Sequence, residues 1–361
     1  MRIILCGFMI RLLFAYYNVN IDTLYGANYD ALAFHEFAVN YSNTLEYDEK
    51  KSNWYYAYFL GYFYYIVGPY LTLGCFLSCF VWFLSAITLY FIIKTLKFKE
   101  NSQIVVLLLY SFLPSSLVYT SITLRETYQI LFINFSFLFI LFFYISNKKF
   151  YFLFFLVSII LLSFFHRGLT LFSLFLFVFT IFYLSSYKMK ILLVPISIFL
   201  ALLFYYFFKE IFNIDLSVGF YKTVEGYLRG HFESRTLYMA KPIIENFYDF
   251  LIFFPESIFK YFFYPLPWQI ENILDFILLI ENSLRLILFI FIGKNIYLLG
   301  HNNKFFIIYM LISYLALESI WSLGTINWGS SIRHHLPSYG ILLIMSFYQK
   351  NSIFKPSKEN N

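Results

Sequence analysis

The sequence predicts an all-α fold, a polytopic membrane helical bundle of about ten transmembrane helices in one domain over residues 1–361. Three observations carry that prediction. Of the 361 residues, 61% are hydrophobic and only 13% charged, where about 25% charged is normal for a soluble domain; mean hydropathy is +0.70. Apolar runs near the roughly 20 residues needed to cross a bilayer recur from one end to the other. The lysine-bearing islands between them all fall on one side, as the positive-inside rule requires. The net charge of +6 sits largely in those islands, and no Lys/Arg block points to nucleic acid.

Taken in order, the crossings fall near 2–18, 71–93, 103–120, 127–146, 150–164, 168–186, 190–208, 273–292, 305–321 and 337–349. The first has a basic start and an apolar body. It lacks a small-residue cleavage site and contains Arg11, so it reads as a membrane helix rather than a secretory leader. Cys6, Cys75 and Cys79 all lie in apolar segments, the last two at i, i+4; they read as packing residues, neither a disulfide framework nor a metal site. Arg2, Lys94/Lys97/Lys99, Lys148/Lys149, Lys188/Lys190, Lys294/Lys304 and Lys350/Lys355/Lys358 mark the inside face. Both termini are then inside, and the outer loops are 19–70, 121–126, 165–167, 209–272 and 322–336.

Two apolar runs are withheld from the count. The aromatic stretch at 53–70 ends at Gly68-Pro69 and would reverse the lysine pattern if it crossed, so it reads as an interfacial or re-entrant helix. The stretch at 243–264 carries Glu245, Asp249, Glu256 and Lys260 and closes with Pro265-Leu-Pro-Trp, which also favours an interfacial helix. Aromatic residues make up 25% of the chain, a bias too general to mark a site.

Polar residues with no topological duty gather at or near the outer face. Asp30 precedes a helix-like stretch containing His35 and Glu36; it is either an N-cap or a surface carboxylate able to act as general base or cation ligand. Arg125 and Glu126 are adjacent, so they do not pair with each other on a helix and each needs another partner; a solvated turn is the alternative. His166 and Arg167 interrupt an apolar stretch at a tight hairpin closed by Gly168, where an arginine is costly unless it snorkels or meets an anion. Arg333, His334 and His335 stand just before the last crossing, on the side where the positive-inside rule disfavours them. Adjacent histidines cannot both reach one ion from a helix, and no third ligand has a recognised spacing. The large late loop adds Lys222, Arg229, His231, Arg235 and Tyr238 as a cap. Glu281 and Arg285 are i, i+4 and read as a structural pair, whereas Arg11 has no local partner and is a functional candidate by default.

Arg125, Arg167, Arg235 and Arg333 thus come from four outer loops. Guanidinium groups grip phosphate oxygens bidentately, so such a set at the bilayer edge suits a lipid-linked phosphate or pyrophosphate. Asp30 or Glu126 would take the proton of an acceptor hydroxyl, and the arginines would stabilise the departing phosphate.

Asn28-Tyr-Asp-Ala-Leu-Ala-Phe-His-Glu-Phe-Ala resembles the acidic first-loop motif of bacterial inner-membrane glycosyltransferases of the GT-C type, and Leu124-Arg-Glu resembles their Arg-acid pair opening a later helix. Phe165-His-Arg-Gly, Ser234-Arg-Thr-Leu-Tyr, Tyr264-Pro-Leu-Pro-Trp and Asn327-Trp-Gly-Ser-Ser-Ile-Arg-His-His look like segments of related polysaccharide polymerases. Size, helix count and a large late outer loop are similar to O-antigen polymerases of the Wzy type. The resemblance implies a GT-C-like bundle in the bacterial inner membrane, active at the periplasmic face, joining undecaprenyl-pyrophosphate-linked oligosaccharide repeat units for O-antigen, capsule or exopolysaccharide. It implies catalytic roles for Asp30, Glu126 and Arg333, and substrate binding by Arg125, His166, Arg167, Arg235, Tyr238, His334 and His335. A chain-length regulator would be a partner. Asp30 is followed by Ala31 rather than a second acid, and no metal or cofactor is expected. Two alternatives remain open: a GT-C transferase moving one sugar from a polyprenyl-phosphate donor, and a flippase of lipid-linked sugars, which would place charges nearer the midplane and show paired halves.

Overall fold

The structure is a computed structural model that describes residues 1–48, 54–185, 224–225, 228, 235–239, 243–298 and 301–348, with backbone alone for Arg167 and 301–305. The described residues form helices α1 (Arg2–Asn20), α2 (Leu32–Thr44), α3 (Tyr55–Val67), α4 (Leu71–Thr95), α5 (Glu100–Phe112), α6 (Pro114–Tyr119), α7 (Glu126–Ser146), α8 (Lys149–Phe164), α9 (Arg167–Leu184), α10 (Phe247–Phe263), α11 (Ile273–Leu298), α12 (His301–Leu323) and α13 (Trp328–Phe347). No strand occurs among them beyond one isolated bridge, Leu237 to Asn327. Among the described residues, 5 helices are long and apolar enough to cross a membrane: α1, α4, α7, α11 and the Phe306–Leu323 part of α12. The chain is a helical membrane protein. The crossing expected at 190–208 lies outside the described residues.

Contacts divide the chain into two compact units, one made of Met1–Thr170, Ser283–Tyr314 and His335–Asn361, the other of Leu171–Asn282 and Leu315–His334. In the first unit, the crossing expected at 103–120 is two helices. Pro114 takes the first position of α6, and Leu113 before it is extended (φ −58°, ψ 122°) because the proline ring bars the helical region to its predecessor. The break leaves the last carbonyls of α5 without helical donors. Arg11 serves one of them: fully buried, it donates from Nη1 to the Ser111 carbonyl (2.8 Å), and also from Nη2 to Ser116 Oγ (2.9 Å) and from Nε to Thr120 Oγ1 (2.7 Å). Its guanidinium lies 3.4 Å over the Trp82 ring of α4. Arg11 is therefore a strut joining α1, α4, α5 and α6, not the functional residue expected by default. Cys75 and Cys79 are buried with Ala15 against Phe8, Leu12, Val19 and Leu71, as packing residues. Deeper in the unit, Asn134 of α7 donates to Tyr110 of α5 (2.9 Å) and to the Ser85 carbonyl of α4 (3.3 Å). Asn295 of α11 donates to the Met345 and Ser346 carbonyls of α13 at 3.0 and 2.8 Å.

The stretch at 53–70 contains α3, with 13 residues about 20 Å long and short of a span, packed on α2. At their closest approach a Cβ on Gly61 would meet the Ala38 carbonyl oxygen at 2.9 Å. In the second unit α10 opens with a capping box: Asn246 Oδ1 accepts from the Asp249 N–H (3.0 Å) and Asp249 Oδ2 from the Asn246 N–H (3.2 Å). Phe253, Ser257 and Tyr261 form its buried stripe, while Phe247, Tyr248, Leu251, Ile252 and Phe259 are exposed.

The end of the chain differs from the expected loop at 322–336 followed by a helix from 337. α13 begins at Trp328, so Arg333, His334 and His335 are helical. Asn327 Oδ1 caps the start by accepting from the Ser330 N–H at 2.7 Å, and Pro337 sits inside the helix instead of marking its boundary. A polar first turn followed by proline has no apolar run to betray it.

Candidate functional site

Glu126 is the first residue of α7, and Arg125 is its N-cap. The preceding turn is pinned to the first loop, since Thr123 Oγ1 donates to the Ala31 carbonyl at 2.8 Å, and the Arg125 guanidinium lies 5.6 Å over the Phe34 ring of α2. Two stretches ninety-two residues apart in sequence are thereby brought to one corner. Tyr56 of α3 packs edge-on to Phe34 (5.2 Å) and tilted against Tyr128 of α7 (5.3 Å). Tyr128 stacks on Phe165 (5.2 Å), beside His166. The first loop, the head of α7 and the turn between α8 and α9 thus share an aromatic wall. Its packing is close: a Cβ at Gly74 would collide with the Tyr64 hydroxyl and come within 2.7 Å of Thr123 Cγ2.

Within that corner Glu126 is only 3% exposed, and its Oε2 has no hydrogen-bond partner among the described residues. Burying an unpaired carboxylate oxygen is expensive. The positive end of the helix dipole lies there, and Arg125, partly exposed, stands next to it in the chain. Gln129, one turn further on, is 1% exposed, and neither of its amide atoms has a hydrogen-bond partner among the described residues. Sequence reasoning passed over Gln129; its signal was a polar residue three positions after Glu126 inside an apolar run.

Asp30 is exposed, in a single π-helical turn, Ala27–Ala31, that Gly26 enters at φ +83°. A Cβ on Gly26 would meet Tyr119 Cε1 at 2.9 Å. The N-cap of α2 is Ala31 without a side-chain cap bond, and Asp30 lies one residue before it. His35 Nδ1 lies 2.9 Å from the Tyr64 hydroxyl; burial pulls its pKa below the ordinary histidine value, against the opposing pull of Glu36. His166 Nδ1 accepts the Gly168 N–H at 3.0 Å, capping α9 and leaving the proton of the neutral ring on Nε2. Arg167 is the first residue of α9.

The second unit holds Arg235, Tyr238, Arg333 and His334. Arg235 does not stand open. Its Nη1 and Nη2 donate to Asp275 Oδ2 (2.7 Å) and Oδ1 (3.2 Å), a bidentate pair, and Glu271 lies 3.5 Å from Nη1. Asp275, 2% exposed, also accepts from Trp328 Nε1 (3.0 Å) and the Glu271 N–H (3.2 Å). This acid went unnoticed in the sequence because it opens an apolar run. Tyr238 donates to the Thr325 carbonyl (2.8 Å), its N–H to Ile326 (3.0 Å) and the Trp328 N–H to Thr236 (3.1 Å); burial raises its pKa well above the ordinary phenol value, keeping it a donor. Thr325 Oγ1 donates to the Trp321 carbonyl (2.8 Å), so it accepts from His334 Nδ1 (2.7 Å). That fixes the tautomer and leaves Nε2 as the acceptor nitrogen of the neutral ring. The imidazole stacks on Trp321 at 4.3 Å.

Asp30, Arg125, Glu126 and His166 therefore belong to one corner of the first unit, whereas Arg235, Tyr238 and His334 belong to a hydrogen-bonded cluster of the second. His335, 2% exposed, falls in the first unit and the partly exposed Arg333 in the second. Glu281 and Arg285, expected as a pair, are both buried. Lys222, Arg229 and His231 lie outside the described residues. Among the described residues no group of three His, Cys, Asp or Glu side chains is placed to hold a metal ion. No protein family, curated protein or solved structure matches the chain.

Proposed function

We propose that this protein is an integral-membrane glycosyltransferase of GT-C-like architecture, with about ten crossings, that works on polyprenyl-linked sugars at the periplasmic face of a bacterial inner membrane. Its product is a polysaccharide built from undecaprenyl-pyrophosphate-linked oligosaccharide repeat units. One observation carries the reading: Glu126, a buried carboxylate with an unpartnered oxygen, opens the apolar helix α7 beside Arg125. Glu126 takes the proton of the acceptor hydroxyl as its oxygen bonds to the anomeric carbon. The bond from that carbon to the lipid phosphate breaks, and Arg125 stabilises the charge on the departing phosphate. Asp30, exposed on the first loop, is the alternative base. The aromatic wall of Tyr56, Tyr128 and Phe165 suits a sugar ring or an isoprenoid tail.

A second reading has its own support. Asp275 occupies the guanidinium of Arg235, which removes one of the arginines a pyrophosphate leaving group calls for. A transferase moving one sugar from a polyprenyl-phosphate donor needs fewer. A gel of surface polysaccharide from a strain lacking the gene separates the two. Glycan capped at a single repeat unit means a polymerase, and a shortened repeat means a single-sugar transferase. An unchanged ladder contradicts both, and lipid-linked intermediates trapped inside the cell mean a flippase.

A further inference from the structure

Glu126 and Gln129 stand three residues apart on α7 and so share one of its faces. Glu126 Oε2, Gln129 Oε1 and Gln129 Nε2 are all buried without a hydrogen-bond partner among the described residues, in side chains that are 3% and 1% exposed. The contrast with Asn134, further along the same helix, is chemical. Its amide is engaged by Tyr110 and Ser85 and holds α4, α5 and α7 together. At the head of α7, Glu126 Oε2 and the Gln129 amide make no such bond among the described residues.

The three atoms specify their guest. A carboxylate oxygen accepts only, amide Oε1 accepts, and amide Nε2 donates. A phosphate would meet two acceptors with no proton between them, and a bare cation would leave Nε2 unmatched. Adjacent hydroxyls satisfy all three. One O–H donates to Glu126 while its oxygen accepts from Gln129 Nε2, and the neighbouring O–H donates to Gln129 Oε1. We infer that this face of α7 binds two vicinal hydroxyls of a neutral sugar ring, with Gln129 orienting the hydroxyl that Glu126 deprotonates. Phosphate is left to the Arg125 side. The inference rests on the proposed glycosyl transfer and names the acceptor as a sugar.

The test uses the full chain in lipid nanodiscs, with thermal unfolding followed against tetradecyl β-glucoside and, as an anionic counterpart, tetradecyl phosphate. The glucoside should raise the unfolding temperature of the wild type. Gln129→Met keeps the volume and removes two orphaned atoms, so its ligand-free unfolding temperature should equal or exceed the wild type's. Its apparent affinity for the glucoside should fall at least about tenfold, with the response to the phosphate intact. Gln129→Glu, which loses the donor and keeps an acceptor, should lose the glucoside response too. Equal glucoside responses in wild type and Gln129→Met, or none in the wild type, overturn the inference. If the null strain keeps its glycan ladder while the glucoside response still depends on Gln129, the hydroxyl site stands and the glycosyltransferase reading falls. If the strain loses its glycan and the wild type ignores the glucoside, the reverse holds.

Discussion

Arg11 and Glu126 are both ionisable side chains sunk into apolar helices of the first unit, and their surroundings answer them in opposite ways. Arg11 meets a broken helix whose spare carbonyl and two hydroxyls take up its fork, with an indole face beneath it. Glu126 shares its helix face with the orphaned amide of Gln129, and one of its oxygens has no hydrogen-bond partner among the described residues. The difference teaches how to read a charge in an apolar run. Its presence marks a cost; what distinguishes a strut from a site is whether the protein itself settles that cost.

The largest effect should follow from breaking the settled side. Arg11→Met strips donors from the Ser111 carbonyl, Ser116 and Thr120 at once, and should destabilise the fold by about 3 kcal/mol. Arg11→Lys should rescue little, because an ammonium cannot reproduce the fork. The purified variants' unfolding temperatures check both.

The comparison extends to two other arginines and gives a sharper contrast. Arg235→Ala abandons the buried Asp275 and should cost about 1–2 kcal/mol, tempered by the partial exposure of Arg235. Arg125→Ala, whose shown contact is the Phe34 ring, should change stability by less than about 0.5 kcal/mol and lower glycan synthesis about a hundredfold. If the two variants exchange these signatures, the cluster of the second unit is the site and the corner at α7 is the scaffold.

The smallest effect concerns pH. His35 has a folded-state pKa depressed by burial, so its neutral form is the one the fold prefers. The contribution to stability is complete above the ordinary histidine value near 6.5 and is lost as pH falls through the folded-state pKa. Acidification from pH about 7.5 to about 5 should lower the wild-type unfolding temperature slightly, and His35→Gln should flatten that component of the profile.

Much of this was legible in the residues. Apolar length marked α1, α4 and α7 to within a few positions, and the apolar run at 243–264 contains the helix α10. The adjacency of Arg125 and Glu126 said that neither could satisfy the other. What stayed hidden was non-local. The helix break that employs Arg11 depends on Pro114 a hundred residues away, and the acid that occupies Arg235 opens a helix forty residues on. The start of α13 was invisible because its first turn is polar and capped by Asn327, so Arg333, His334 and His335 read as loop. Gln129 was obscured by a different cause: a single amide in an apolar helix is usually a strut like Asn134, and only burial without a partner sets it apart.

The most direct measurement compares Glu126→Gln with the wild type in two readouts, the unfolding temperature of the purified full chain and the length of surface glycan in a complemented null strain. The account predicts a folded variant with an unfolding temperature close to the wild type's and glycan synthesis reduced at least about a hundredfold. A Glu126→Gln strain that makes glycan of normal length and amount would contradict it.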